Sequence, residues 1–148
     1  MLRYILRRLL WAIPTLLTIG AWLMLAILVG AAVRNPSATG KGLFNAAVLC
    51  RGGRIDQVRH KSLLPTYDVF DEGRYFEPAR QQQVIEVRGE RVALTICEDM
   101  WNDKNFWAAQ SNGRLYSFDP VEALFQQGAS LLINISGSPF SMGKPRFR

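Results

Sequence analysis

Acidic residues are missing from the first forty positions of this 148-residue chain, and residues 11 to 33 carry no charge of either sign. That gap excludes a uniformly amphipathic chain. The near-zero mean hydropathy averages an apolar beginning with a mixed remainder. Cysteine is scarce as well, with only Cys50 and Cys97. Two cysteines so far apart make neither a disulfide framework nor a zinc site of recognisable spacing. A reduced, cytosolic setting is the simpler reading for the second half. The single histidine, His60, has no sequence partner that would make it a ligand or a base. No internal repeat and no low-complexity tract is present. The net charge of +6 invites a nucleic-acid reading. However, Arg3, Arg7, Arg8 and Arg34 flank the apolar run and the other basic residues are scattered among acids. With no basic stripe and no binding motif, nucleic acid is not the expected partner.

What is present first is the run Trp11 to Val33, 23 residues of WAIPTLLTIGAWLMLAILVGAAV. About 20 apolar residues cross a bilayer core of about 30 Å, so the run predicts a single transmembrane helix. Pro14 falls near its start, where a missing N–H costs least. Tyr4 and Trp11 suit a membrane interface, and the preceding arginines favour a cytoplasmic N-terminus. A cleaved signal peptide is the alternative, with the small residues Gly30, Ala31 and Ala32 near a cleavage point. The stretch MLRYILRRLLWAIPTLL, within residues 1 to 19, resembles the N-terminus of dipeptide and oligopeptide ABC-transporter permeases. The polar, turn-rich stretch Asn35 to Gly42 then reads as a linker or junction, and residues 43 to 148 as a second unit.

That second unit alternates strands with a helix. Phe44 to Cys50 is an apolar run bounded by turn residues, and Ile55 to His60 can pair back on it across Arg51-Gly-Gly-Arg54. Residues 62 to 82 are punctuated by Pro65, Gly73 and Pro78 and read as an irregular loop. Val84 to Val87 and Arg91 to Ile96 flank Arg88-Gly-Glu90, a hairpin signal. Asp119, Pro120 and Glu122 form a capping-box start for a helix over Pro120 to Gln127, stopped by Gly128. Leu131 to Ile135 follows as a buried strand. Strand, helix, strand with apolar strands indicates an α/β layer structure.

Several residues could carry chemistry. Cys97 ends an apolar strand, where α/β proteins gather ligand-facing groups, and an activated thiol there is a nucleophile. A buried structural cysteine is the alternative, and Cys50 reads as core. Lys61 stands at another strand-to-loop transition, where a solvated lysine is the ordinary state. Taken singly, Glu98 and Asp99 read as solvent-facing charge and Ser138 as a turn residue.

Four ordered stretches change this balance. They are GKGLFNAAV (40 to 48), RHKSLLPTYDVFDEGRYFEP (59 to 78), LTICEDMW (94 to 101) and NISGSPF (134 to 140). Together they resemble the nitrilase-type glutaminase domain of glutamine-dependent NAD+ synthetases over about residues 40 to 148. The resemblance implies a partial αββα sandwich, here behind the transmembrane-type helix. It implies hydrolysis of glutamine to glutamate and ammonia through a Cys97 thioester. Lys61 would be the triad lysine and Glu72 the supporting carboxylate, with Tyr67, Glu98 and Ser138 as substrate contacts. Glutamine is then the expected partner, alongside a membrane met through residues 11 to 33. Family members oligomerise. No cofactor is expected in this part, because ATP and Mg2+ serve a separate synthetase domain. The general-base glutamate of the family lies upstream of Gly40, where this chain has no acidic residue, so the expectation is a glutaminase fragment inactive alone. The competing expectation is a membrane-anchored, non-catalytic protein or a permease fragment.

Overall fold

The computed structural model describes residues 26 to 103 and 116 to 137. Two three-stranded sheets form its frame. The first contains β1 (Ala26–Arg34), β2 (Leu43–Arg51) and β3 (Arg54–His60), in that order and antiparallel throughout. The second contains β4 (Ile85–Val87), β5 (Glu90–Ile96) and β6 (Leu131–Ile135). Here β4 and β5 form an antiparallel hairpin, and β5 and β6 run parallel. Parallel neighbours need a crossover, and α2 (Pro120–Gln126) lies within it. The short helix α1 (Glu72–Tyr75) interrupts the long connection from β3 to β4.

Alternation along the strands decides the layers. Val92, Leu94 and Ile96 of β5 point one way, towards Ala47 and Leu49 of β2, and with Ile85 they build the core between the sheets. Ala93 points the other way, packing against Leu124 of α2 and Ala129. The order of layers is therefore sheet, sheet, helix, which accounts for three layers of the expected αββα sandwich.

One expectation is corrected. The apolar run expected as a membrane helix through Val33 ends in a nine-residue strand. Ala26 to Arg34 pairs residue for residue with Arg51 to Leu43 of β2. Isoleucine and valine side chains suit a strand as well as they suit a lipid-facing helix, and hydropathy alone does not separate the two. Among the described residues, no helix is long and apolar enough to cross a membrane. The permease-like stretch and residues 11 to 25 lie outside the described residues.

The expected linker is an organised turn between β1 and β2. Asn35, only 8% exposed, donates its backbone N–H to Gly42 O at 2.9 Å and its side-chain amide to Lys41 O at 2.8 Å. Gly40 adopts φ +83°, and a side chain there would meet the Glu77 carboxylate at 2.7 Å. That carboxylate accepts the Lys41 N–H at 3.0 Å.

Local signals elsewhere agree with their elements. Asp119 caps α2 by accepting the Glu122 N–H at 3.0 Å, and Pro120 opens the helix. Gly128 follows it at φ +81°. Arg88 and Gly89 turn the β4–β5 hairpin with positive φ at both positions. Cys50, read as core, is half-buried beside a register shift in β2.

Candidate active site

Strand ends from both sheets meet at one cleft. Its volume is about 370 Å³, and Asn45, Lys61, Phe70, Glu72, Cys97 and Ser136 are among its lining residues. Lys61 follows directly on β3 and continues its pairing, donating its N–H to Asn45 O at 2.8 Å. Its side chain is fully buried, and Nζ donates to Glu72 Oε1 at 2.6 Å. An ammonium out of water needs such a partner, because desolvating an unpaired charge costs several kcal/mol. α1 supplies that partner at its first residue. The second oxygen of Glu72 accepts Nδ2 of Asn45 at 3.1 Å. Asn45, Lys61 and Glu72 thus form one hydrogen-bonded row along the cleft.

Cys97 leaves β5 at φ +47° and begins a one-turn 3-10 helix, Cys97–Met100. A left-handed conformation costs a non-glycine residue roughly 1–2 kcal/mol, and such outliers gather at functional sites. The parallel register sets Asn134 beside Thr95. From there Asn134 Nδ2 donates to Thr95 Oγ1 at 3.0 Å and to the Cys97 carbonyl at 3.3 Å. The strained turn is therefore tied to the neighbouring strand.

Glu98 and Asp99 are not solvent-facing. Glu98 is 5% exposed and Asp99 1%. The Tyr67 hydroxyl lies 2.8 Å from each Glu98 oxygen, and the Tyr116 hydroxyl 3.3 Å from one of them. Burial, and then the Glu98 carboxylate, push both tyrosine hydroxyls well above their ordinary range, so they remain donors. Asp99 accepts the backbone N–H groups of Ser62, Leu63 and Ile96 at 3.0, 2.8 and 3.1 Å. Burial pushes its carboxyl up to about 6, against the lowering effect of those three N–H groups and of the Lys61 charge.

The structure brings Cys97, Lys61 and Glu72 to the same cleft and links Tyr67 with Glu98, while Ser138 lies outside the described residues. His60 stacks on Phe44 with centroids 4.0 Å apart, and burial followed by the Arg59 charge lowers its pKa. Among the described residues, no group of histidine, cysteine and carboxylate side chains is arranged to hold a metal ion. Asn45, Asn134 and Tyr116 join the site without having been singled out. For the two asparagines a signal existed: a lone amide within an otherwise apolar strand needs a buried partner.

This fold and site have known counterparts. The family model for carbon-nitrogen hydrolases matches residues 22 to 147, and the chain belongs to that family. Within it, the chain is 43% identical over 127 residues to the glutamine-dependent NAD(+) synthetase of Synechocystis, covering 84% of this chain and 22% of that protein. The synthetase of Thermotoga maritima is 38% identical over 105 residues, covering 71% of this chain and 16% of its own length. The chain thus spans about a fifth of the length of these curated relatives. Among solved structures, glutamine-dependent NAD+ synthetase from Acinetobacter baumannii in complex with ADP superposes with a TM-score of 0.65 and 28% identity. It covers 83% of this chain and 20% of that one. A carbon-nitrogen hydrolase from Helicobacter pylori shares the fold at a TM-score of 0.56 and 19% identity, covering 84% of this chain and 37% of its own. The family match begins before β1, which pairs with β2 along its whole length. The family match leaves out the permease-like stretch of residues 1 to 19.

Proposed function

We propose that this chain carries the thiol side of a glutamine amidohydrolase site. Sγ of Cys97 attacks the side-chain amide carbon of glutamine. The C–N bond breaks, nitrogen leaves as ammonia with the thiol proton, and a thioester remains. Water then cleaves the thioester, releasing glutamate and restoring the thiol. Lys61 stabilises the tetrahedral oxyanion from its seat in the cleft, and Glu72 holds Lys61 in place. Glu98, buried with tyrosine hydroxyls as its side-chain partners, suits the α-ammonium of the substrate, and Ser138 is a further substrate contact. The observation that carries this reading is the buried Lys61–Glu72 pair at 2.6 Å lining the same cleft as the strained Cys97.

Proton transfer is the weak point of this machinery. General-base catalysis contributes typically about 10²- to 10⁴-fold. The family resemblance expects its glutamate ahead of Gly40, where these 148 residues have no acid. The chain therefore binds glutamine and presents a nucleophile, but turns glutamine over negligibly by itself. Using the ammonia, with ATP and Mg2+, belongs on this reading to a separate synthetase domain.

The test is ammonia release from glutamine by the 148-residue chain beside Cys97→Ala, together with labelling by a glutamine-shaped diazoketone. Labelling of Cys97 without ammonia release is the expected pair of results. Ammonia release that disappears in the alanine variant would mean that another group replaces the missing base. Absence of labelling would remove the glutamine reading.

A further inference from the structure

One buried carboxylate lies between the two halves of the cleft and has no part in the chemistry above. Asp99 sits two residues after Cys97, yet its bonds reach back to the other sheet. Oδ1 accepts the N–H groups of Ser62 and Leu63, the residues immediately after Lys61. Oδ2 accepts the N–H of Ile96, the residue immediately before Cys97. Lys61 continues β3 of the first sheet, and Ile96 ends β5 of the second. We propose that Asp99 is a positioning residue that sets the placement of Lys61 relative to Cys97 by clamping the chain beside each of them.

The chemistry of the three partners favours a carboxylate over every other side chain. All three are donors, so the bridging group must accept on both of its ends. An amide offers one accepting end and turns a donor towards the third N–H. A hydroxyl is too short to reach both strands. Asp99 is 1% exposed, and leaving those N–H groups without acceptors would leave buried polar groups unpaired. A second feature supports the clamp. The segment after Lys61 is itself pinned: Gln82 Nε2 donates to Ser62 Oγ and to His60 O, both at 2.7 Å. The Ala79 N–H also donates to the Lys61 carbonyl at 2.9 Å. The lysine backbone is thus also held by bonds that do not involve Asp99, and Asp99 supplies the link that crosses to the nucleophile.

This inference rests on Cys97 being the reactive thiol, and its test is separable from the test of that reading. The measurement is the rate and pH profile of Cys97 alkylation by iodoacetamide, read by peptide mass spectrometry, in the wild type and in Asp99→Asn. Loss of the negative charge alone would leave a nearby thiolate less repelled and speed alkylation. Loss of the clamp moves the Lys61 ammonium away and slows it. The expected result is alkylation about tenfold slower at neutral pH with the profile displaced to the alkaline side. Unchanged or faster alkylation in a folded variant overturns the proposal. Should Asp99→Asn not fold, amide hydrogen exchange of the wild type decides. The Ser62 and Leu63 N–H groups should then be protected to the same degree as Ile96. Exchange at loop rates for Ser62 and Leu63 beside a protected Ile96 would equally overturn the clamp. If a glutamine-shaped reagent fails to label Cys97 while these results stand, the substrate assignment falls and the clamp survives.

Discussion

Glu72 lines the cleft and Glu98 directly follows the cleft residue Cys97, and the surroundings of the two carboxylates differ in kind. Glu72 is matched by a full charge, Lys61 Nζ at 2.6 Å, with an asparagine on its other oxygen. Glu98 is less exposed, and among the described residues its side-chain partners are the hydroxyls of Tyr67 and Tyr116. Hydroxyl donors satisfy the lone pairs of a carboxylate without cancelling its charge. The first carboxylate is therefore matched by a charge, while the second, among the described residues, has only hydroxyl side-chain partners in a buried setting. On the proposed reading, a site that must hold a lysine for its own chemistry and also receive a substrate ammonium uses both arrangements.

The sharpest way to break this comparison is to remove the charge-matched side. Lys61→Met leaves Glu72 without its charge partner and removes a wholly buried ammonium. Breaking a buried pair costs about 3–5 kcal/mol, and urea unfolding should register a loss near the lower end because Glu72 retains some exposure. A loss below about 1 kcal/mol would mean that the pair is not closed in solution.

Asp99 gives the next effect, with a definite sign. Its folded-state carboxyl is raised from 3.8 to about 6. The folded chain then binds more protons than the unfolded chain between those values, so the Asp99 contribution to stability is fully present below pH 4 and lost as pH rises through 6. The difference amounts to about 2–3 kcal/mol. It should appear as a gap in the pH slope of unfolding free energy between wild type and Asp99→Asn. Parallel slopes would refute the shift.

Tyr67→Phe and Tyr116→Phe sharpen the hydroxyl-bonded side. Each removes one hydroxyl donor from a buried carboxylate. Hydrogen bonds to charged groups contribute about 1.5–3 kcal/mol, and the exposure of Tyr67 points to the lower end of that range. Labelling of Cys97 by an amino-acid diazoketone should slow in both variants, while iodoacetamide labelling stays unchanged. Equal slowing with both reagents would show that Glu98 orients the thiol instead of the ligand. The smallest effect is spectroscopic. Ultraviolet titration should leave Tyr67 and Tyr116 protonated at pH values where free tyrosine ionises, and Glu98→Gln should bring both back towards the ordinary range.

Much of the second sheet was legible because its signals are local. Asp119, Pro120 and Gly128 mark the ends of α2 by chemistry acting within one helical turn, and Gly89 marks a hairpin in the same way. That Lys61, Glu72 and Cys97 belong together was suggested by motif resemblance alone, and the three line one cleft. Strand position alone would have left Lys61 a solvated lysine. The apolar beginning misled, because Ala26 to Val33 has the hydropathy of a membrane helix and yet forms a strand. α1 was invisible within a stretch punctuated by Pro65, Gly73 and Pro78, since four residues carry too little periodicity to register.

The sequence by itself determined the turns, the caps, the alternation of β5 and the identity of the chemical groups, because each depends on residues near one another along the chain. The tertiary structure alone decided that Ala26 to Arg34 is a strand, that Glu72 closes on Lys61, that two tyrosines converge on Glu98, and that Asp99 bridges the sheets. Those outcomes depend on which buried donor finds which acceptor across the packed layers. That matching is set by the requirement that every buried polar group be satisfied, and no spacing along the chain encodes it.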